Sequence, residues 1–309
     1  MKQGWPRCYS TSSSFDASLD VDKVRQQFGK EGYAIVPDLF SAEAVERLRE
    51  RAVKLVDEWT PSEKEFSVFQ TSLSQVETTD EYFLNSGSRI SFFLEKDVLS
   101  PDRRFLFPKA RCINKIGHAL HELDPTFRAF SHSRPMRQLA QAAGLSDPLL
   151  VQSMYIFKQP RVGGDVTPHQ DNSFVITEPS SCVGIWVALE KATRDNGCLW
   201  AIPGSHTVPV STYFVRDPSR PDSKVLFDPV PDVEPAARWP AGQFSPLEVD
   251  VGTVIMLHGN LVHRSYSNLS ADSRHAFTLH LVDATARYSP RNWLQRPVEM
   301  PFQGFASQS

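Results

Sequence analysis

The second half of the chain consists of short apolar runs that are separated by turn residues. The runs lie at residues 149–151, 154–157, 183–187, 199–202, 249–256 and 277–282. Gly163-Gly164, Asn196-Gly197 and Pro203-Gly204 lie between them. Short strands joined by glycine and proline turns are typical of a β-sandwich or barrel. We therefore predict a mainly β fold with flanking helices, in which N-terminal α-helices buttress a double-stranded β-helix, a cupin-like jelly roll.

The first half of the chain has helical periodicity instead. Apolar stripes with helical spacing occupy residues 20–28 and 41–59, and each begins with a potential N-cap side chain. The segment 113–123 has helical spacing as well, which predicts a third helix. It carries His118 and His121, which we interpret as surface or helix-terminal histidines because no carboxylate and open-site context accompanies them.

The sequence divides into a tail and one domain. Residues 1–19 are predicted to be a disordered tail or a weak targeting segment, and residues 20–309 to be a single domain. Within that domain we expect helical support over 20–148 and the jelly-roll core over 149–285. The proline-rich stretch 213–246 is a candidate lid over a substrate site, or a solvated insert.

Composition excludes several classes of protein. The net charge of −3 gives no indication of a nucleic-acid partner. No apolar run is long enough to span a bilayer, and no protein partner is evident. The four cysteines lack a paired spacing, which favours reduced structural thiols. We expect a cytoplasmic protein, although the serine-rich, acid-poor N terminus leaves mitochondrial targeting open; the C terminus is not an SKL-type peroxisomal signal.

The strongest chemical signal is the pair His169 and Asp171, with His263 as a distant partner. A histidine and a carboxylate two residues apart in an extended run point to the same face. One more imidazole from a neighbouring strand completes a two-His-one-carboxylate facial triad, which leaves three positions open on a six-coordinate Fe(II). His263 follows the strand-like run 253–257. We therefore predict that these three residues are the metal ligands and the catalytic centre.

Further features surround His263. Arg274 lies eleven residues after it (274 − 263), which places a guanidinium on the following strand. Arginine is suited to gripping a carboxylate through two parallel hydrogen bonds. Ser265 lies two residues after His263 and could share its face. Residues 196–206, with the sequence NGCLWAIPGSH, form a strand-and-turn signature between the two metal-binding segments.

These motifs together resemble the phytanoyl-CoA dioxygenase family of Fe(II)/2-oxoglutarate oxygenases. The family pattern is HxD, then NGxLxxxPGSH, then HxS with an arginine eleven residues after the histidine, and the chain matches it in order and spacing. The resemblance runs from about Val21 to Phe305. It implies a dioxygenase that uses Fe(II), 2-oxoglutarate and O2, decarboxylates 2-oxoglutarate to succinate and CO2, and hydroxylates a small or lipid-like substrate.

The resemblance also implies roles for individual residues. Arg274 and Ser265 would hold the distal carboxylate of 2-oxoglutarate. Met154 and Trp186 would line the pocket for this co-substrate. Arg111 lies where the family often has a lysine that contacts 2-oxoglutarate, so it would be a further cofactor-binding residue.

Other classes of protein are compatible with the three ligands. A zinc-type cupin hydrolase or isomerase could use the same triad, although it would have no need for Arg274. A 2-oxoglutarate-binding sensor with weak or uncoupled turnover could keep the fold. An acyl-CoA substrate is suggested by the family alone, because the stretch 213–246 mixes basic and acidic residues and does not identify a site for CoA phosphates.

Overall fold

Helices occupy the first half of the described chain. The computed structural model describes residues 19–61, 66–69, 76–77, 79–217, 219, 224–234 and 239–305. The helices are Val21–Glu31, Ala42–Glu58, Glu81–Leu84, Lys109–Cys112, Leu120–Leu123, Pro125–Ser131 and Arg134–Ala142. Among the described residues, none of these helices has the length and apolar character needed to cross a membrane.

Side-chain caps explain where the two predicted N-terminal helices begin. The Asp20 carboxylate accepts a hydrogen bond from the Lys23 N–H at 3.0 Å. The Ser41 hydroxyl accepts one from the Ala44 N–H at 3.3 Å. These bonds satisfy N–H groups that have no partner within the helix. Gly32, at a φ of 78°, ends the first helix in the left-handed conformation that glycine adopts without strain.

Two packed sheets form the β core. The strands are β1 (Tyr33–Val36), β2 (Ser67–Val68), β3 (Ile90–Leu94), β4 (Ile113–His118), β5 (Pro148–Ile156), β6 (Val166–His169), β7 (Thr177–Glu178), β8 (Val183–Ala188), β9 (Leu199–Ala201), β10 (Thr212–Arg216), β11 (Val225–Pro229), β12 (Ser245–Leu247), β13 (Val254–His258), β14 (His263–Ser265), β15 (Ala276–Asp283), β16 (Arg287–Tyr288) and β17 (Gln303–Gly304). Within the described residues, the larger sheet has the order β1-β13-β8-β15-β5-β4-β3-β2, with β17 also on β5, and the smaller has the order β12-β9-β14-β6. Trp186 and Ile255 of the larger sheet share a buried cluster with Leu199 and Leu247 of the smaller one. The prediction of a mainly β jelly roll with flanking helices is confirmed.

Strand β15 connects the helical layer to the interior of the jelly roll. It lies between β5 and β8. Phe277 and Leu279 belong to the core cluster that contains the helical residue Phe127, and the Phe277 and Phe127 rings lie 5.1 Å apart. Thr278 and His280 alternate with them and line a large cavity. The helices therefore pack on one face of the larger sheet, and the opposite face lines the cavity.

The prediction of one helix over the segment 113–123 is wrong. Ile113–His118 form strand β4, and the helix is limited to Leu120–Leu123. Strand β4 pairs with β3 and β5, and all of its residues except Asn114 are buried. Because both faces of the strand are covered, its apolar residues do not alternate with polar ones. Strand pairing in the folded protein overrides the helical spacing.

Other predicted segments contain structure that the sequence did not indicate. Residues 20–148, predicted as helical support, also supply β1, β2, β3 and β4 to the larger sheet. The predicted lid or insert, 213–246, contains an antiparallel hairpin of β10 and β11, with Phe214 and Val225 buried. Residues 1–18 lie outside the described residues, so the predicted tail stays a prediction.

Replacing Phe277 with alanine should lower the free energy of unfolding by about 3–5 kcal/mol, since removal of a buried ring leaves a cavity between sheet and helices. Leu269→Ala is the control, because that side chain is 79% exposed; it should change the free energy by less than about 0.5 kcal/mol. Urea denaturation followed by circular dichroism measures both variants. Equal midpoints would show that the helices and the sheet do not share this core.

Candidate active site

Three metal-ligating side chains converge where β6 and β14 pair. His263 on β14 lies opposite His169 on β6, and Asp171 follows His169 through the extended backbone of Gln170. Asp171 Oδ1 lies 3.6 Å from His169 Nε2 and 3.7 Å from His263 Nε2. One ligand atom from each residue lies within 4.8 Å of the others. The structure thus brings together all three predicted ligands.

Backbone carbonyls orient both imidazoles. His169 Nδ1 lies 2.9 Å from the Thr167 carbonyl oxygen, and His263 Nδ1 lies 3.0 Å from the Leu261 carbonyl oxygen. A carbonyl only accepts, so each Nδ1 carries a proton, and the lone pair of the neutral ring is then on Nε2. Burial, with the nearby His169, lowers the pKa of His263 to about 4. The His263 imidazole is therefore neutral and able to bind a metal at neutral pH.

Two further side chains position the Asp171 carboxylate: His280 faces it directly, and Gln152 bonds to His280. Its Oδ2 lies 3.2 Å from His280 Nε2, and His280 Nδ1 lies 2.7 Å from Gln152 Nε2. The amide donates to Nδ1, which assigns the proton of His280 to Nε2, on the side of Asp171. Among the described residues Oδ2 has no hydrogen-bond partner, so the attraction to His280 is chiefly electrostatic. Burial by itself would raise the pKa of Asp171, but His280 and His263 hold it well below its usual value.

Gly184 leaves the room that this carboxylate needs. It lies on β8, and a Cβ atom at this position would come within 2.9 Å of Asp171 Oδ2. That separation is shorter than a carbon–oxygen van der Waals contact. A larger residue would therefore displace the carboxylate from its place between the two histidines and His280.

The donor set fits a divalent metal ion. Two neutral imidazole nitrogens and one carboxylate oxygen form the facial triad of non-haem Fe(II) oxygenases, and the remaining octahedral positions stay open for ligands. Each imidazole has its outer nitrogen bound to a carbonyl, which is the usual support for a histidine that ligates a metal. Among the described residues, His169, Asp171 and His263 are the one group whose atoms are arranged in this way.

Arg274 and Ser265 meet at one backbone carbonyl. Arg274 Nε donates to the Gly197 oxygen at 3.1 Å, and Ser265 Oγ donates to the same oxygen at 2.8 Å. Arg274 is buried, and within the described part of the chain its Nη1 has no hydrogen-bond partner. Burial lowers the pKa of Arg274 to about 10, which still leaves it charged at neutral pH. A buried cation with a free N–H fits an anionic ligand, whereas Ser265 must rotate its hydroxyl before it can donate to one.

Trp186 and Met154 form a wall next to this cation. Thr278 on β15 pairs with Met154 on one side and with Trp186 on the other. The Arg274 guanidinium carbon lies 5.4 Å from the centre of the Trp186 ring. All four side chains, Ser265 and the three metal-ligating residues line one cavity of about 850 Å³.

The structure does not support the role predicted for Arg111. This residue is exposed and is not among the residues that line the cavity. Its guanidinium donates to the Pro160 carbonyl at 3.3 Å and lies over the Phe107 ring. Lys115, four residues later on β4, is buried and lines the cavity instead.

Lys115 and Lys158 add positive charge to the cavity. Burial lowers the pKa of Lys115 to about 7, and the nearby Glu95 opposes that shift. Burial and the neighbouring Arg274 lower the pKa of Lys158 to about 7 as well, although Lys158 Nζ donates to the Gly164 carbonyl at 2.5 Å. An anionic ligand would favour the protonated form of both side chains.

Aromatic rings line another part of the cavity. They are Phe69, Phe83, Phe174, Phe227, Trp239 and Trp293. Phe227 belongs to β11, so the hairpin within the predicted lid or insert contributes to this wall. An apolar molecule fits such a surface, because its burial against the rings releases water from both.

The interpretation of His118 as a surface or helix-terminal residue is wrong, and His121 is not on the surface. His118 lies at the end of β4, is 1% exposed and lines the cavity. Its Nδ1 lies 2.8 Å from Ser86 Oγ. His121 is also buried, with Nδ1 2.9 Å from Ser153 Oγ. Both wrong predictions result from the helix that was predicted over this segment.

Sequence reasoning misses His280, Lys115 and Lys158. His280 lies on β15, four residues after Ala276, and Arg274 lies two residues before that strand begins. The alternation of side chains along an extended segment was therefore a signal that could have placed both on one face. Lys115 was missed because its segment was predicted to be a helix. For Lys158, which follows β5 with a φ of 39°, no pattern in the sequence indicates burial.

Curated relatives match nearly the whole chain. A family model described as "Phytanoyl-CoA dioxygenase (PhyH)" matches residues 28–276. The phytanoyl-CoA dioxygenase of Arabidopsis thaliana is 42% identical over 285 residues, which cover 92% of this chain and 96% of that protein. Phytanoyl-CoA dioxygenase domain-containing protein 1 of Bos taurus is 44% identical over 285 residues, which cover 90% of this chain and 95% of that protein.

Solved structures of lower sequence identity share the fold. The epimerase SnoN in complex with Fe3+, alpha ketoglutarate and nogalamycin RO has a TM-score of 0.57 at 18% identity, over 87% of this chain and 86% of that one. EctD from S. alaskensis with 2-oxoglutarate and 5-hydroxyectoine has a TM-score of 0.57 at 19% identity, over 89% and 83%. The family match and the curated relatives show that this chain belongs to the phytanoyl-CoA dioxygenase family of oxidoreductases.

Proposed function

We propose that this protein is an Fe(II)- and 2-oxoglutarate-dependent dioxygenase that decarboxylates 2-oxoglutarate to succinate and CO2 and hydroxylates a small or lipid-like substrate. The observation that carries the proposal is one cavity that contains both the triad of His169, Asp171 and His263 and the buried cation Arg274. The triad suits Fe(II), and the cation suits an acid. A zinc hydrolase or isomerase has no need for a buried guanidinium beside its metal.

The protein's part in this reaction is to hold the metal and to orient its ligands. Bound Fe(II) would supply the oxygen chemistry that oxidises 2-oxoglutarate and the substrate. His169 and His263 present the neutral Nε2 atoms that such an ion requires. His280 attracts Asp171 Oδ2, which leaves Oδ1 directed toward the two imidazoles. A carboxylate fixed in this way keeps the remaining metal positions free for ligands.

Other residues of the cavity suit 2-oxoglutarate. Arg274 pairs with its distal carboxylate through the free Nη1, and Lys115 and Lys158 add positive charge for a dianion. Trp186 and Met154 exclude water from this region and so strengthen the attraction between the opposite charges. Support also comes from the fold relatives, since SnoN was solved with Fe3+ and alpha ketoglutarate and EctD with 2-oxoglutarate.

The substrate occupies the aromatic part of the cavity. This part suits the small or lipid-like molecule of the proposal, because its walls are mainly rings and aliphatic side chains. The names of the curated relatives suggest an acyl-CoA. A panel that contains both acyl-CoAs and free lipids distinguishes a CoA thioester from a free apolar molecule.

Purified full-length protein should form succinate from 2-oxoglutarate when Fe(II) and O2 are present, and one member of that panel should stimulate it. Asp171→Ala should abolish succinate formation, because the triad loses its carboxylate. Asp250→Ala is the matched control, since this carboxylate is exposed and lies outside the cavity; it should leave the rate unchanged. Iron-loaded protein that forms no succinate would contradict the proposal and favour a sensor or a hydrolase.

Arg274→Met should weaken 2-oxoglutarate binding by at least about tenfold, because a hydrogen bond between charged groups contributes about 1.5–3 kcal/mol. Arg111→Ala removes an exposed guanidinium outside the cavity. That control should stay within about twofold of the wild type. Calorimetric titration with 2-oxoglutarate measures both constants. A loss of affinity in the Arg111 variant, with none in the Arg274 variant, would restore the role predicted from the sequence.

His280→Leu should weaken metal binding by about 10–100-fold, the usual effect of removing a group that orients a metal ligand. Gln152→Leu should act in the same direction and more weakly, because it touches Asp171 only through His280. Titration with Co(II), followed by its visible absorption, measures the affinity without turnover. His132→Leu, which removes a histidine outside the cavity, is the control. Unchanged Co(II) affinity in the His280 variant would mean that Asp171 needs no such support.

A further inference from the structure

His118 is a cavity histidine that neither the metal nor 2-oxoglutarate uses in the proposed function. It lies at the end of β4, and the same cavity contains the triad. Its ring is surrounded by aromatic side chains: ring centres of Trp293, Phe93 and Phe83 lie 5.1, 5.2 and 5.8 Å away. A polar imidazole in an apolar wall requires a hydrogen-bond partner for each nitrogen.

A count of protons determines which nitrogen of His118 carries hydrogen. Ser86 Oγ donates its single proton to the Phe83 carbonyl at 2.5 Å. The 2.8 Å contact between Ser86 Oγ and His118 Nδ1 must therefore have the imidazole as donor. The proton of the neutral ring is then on Nδ1, and Nε2 carries a lone pair. Burial keeps the ring neutral, since it lowers the pKa of His118 well below its usual value, with smaller contributions from Lys115 and His280.

Among the described residues, the contact with Ser86 is the one hydrogen bond of the His118 side chain, so Nε2 is an acceptor that a ligand in the cavity can reach. The rings of Trp293, Phe93 and Phe83 place an apolar surface next to this acceptor. A hydroxyl group attached to an apolar molecule suits both. It donates to Nε2, and the rest of the molecule packs on the rings.

We propose that His118 Nε2 accepts a hydrogen bond from a hydroxyl group of the substrate, and that the substrate is therefore an apolar molecule that carries a hydroxyl. The identification of this ligand as the substrate rests on the proposed function; the hydrogen bond itself rests on Ser86, His118 and the surrounding rings. A site built to pair with a hydroxyl rejects the analogue that lacks it, because the acceptor is then buried without a partner. His118 is in this sense a specificity-determining residue.

The test compares three probes that share one ring system. 2-Naphthol carries a hydroxyl donor, whereas 2-methoxynaphthalene and naphthalene carry none. The first analogue is larger than 2-naphthol and the second is smaller, so size alone cannot explain a preference over both. Calorimetric titration of the full-length protein should show that 2-naphthol binds at least about tenfold more tightly than either analogue. The titration needs neither iron nor turnover. A protein that forms no succinate can therefore still support or contradict the role of His118.

Variants connect the preference to this side chain. His118→Phe, which places another ring among rings, should remove the preference and bind all three probes about equally. His206→Phe should keep it, because His206 lies outside the cavity. The proposal is overturned if the wild type binds the probes equally, if it does not bind 2-naphthol, or if His118→Phe keeps the preference.

A second measurement on the wild type keeps the test decisive where His118→Phe does not fold. Nitrogen-15 spectra of histidine-labelled protein should show His118 with a protonated Nδ1 and an unprotonated Nε2. The Nε2 resonance should shift when 2-naphthol binds and stay in place with 2-methoxynaphthalene. A proton on Nε2 in the free protein, or equal shifts with both probes, would overturn the assignment.

Discussion

The register between β6 and β14 is the constraint on which the active site depends. His169 and His263 are paired directly across these strands, and each imidazole bonds to the carbonyl two residues before it in the chain. The same local device therefore fixes both tautomers. Because strand side chains alternate, a slip of one residue would turn one imidazole away from the other and from Asp171. Sheet pairing thus determines the donor set before any metal binds.

Polar groups behind the triad extend this order into the larger sheet. Asp171 is attracted by His280, and His280 is held by Gln152 on the adjacent strand. The Gln152 amide thus orients the imidazole, and the imidazole attracts the carboxylate. Gly184 contributes through the side chain it lacks, because it leaves space for the carboxylate. Three neighbouring strands of one sheet therefore position a single oxygen ligand.

The sequence indicates the fold class and the ligands because those features depend on local patterns. Alternation places His169 and Asp171 on one face, and turn residues mark the short strands. The sequence does not predict that Lys115 and His118 line the cavity. Because β4 is covered on both faces, its apolar and polar residues do not alternate, and their spacing resembles that of a helix. Arg111 illustrates the same limit: its position in a motif predicts a charge near the co-substrate, but the turn into β4 directs it to the surface and directs Lys115 inward. Burial of this kind depends on pairing between distant strands, which no local pattern records.

Strand β15 has a consequence for how this protein and its relatives can diverge. Both of its edges are paired and both of its faces are occupied, one by the helical layer through Phe277 and the other by the cavity through Thr278 and His280. A change on either face therefore affects stability or chemistry, and the strand offers no position at which substitutions accumulate without effect. New substrate preferences are then expected to arise at the borders of the cavity, in the β10–β11 hairpin and its flanking residues, where Phe227 and Trp239 can be replaced without disturbing the central sheet. In evolutionary terms we expect β15 to tolerate few substitutions, and the hairpin at the border of the cavity to be where the family can diversify.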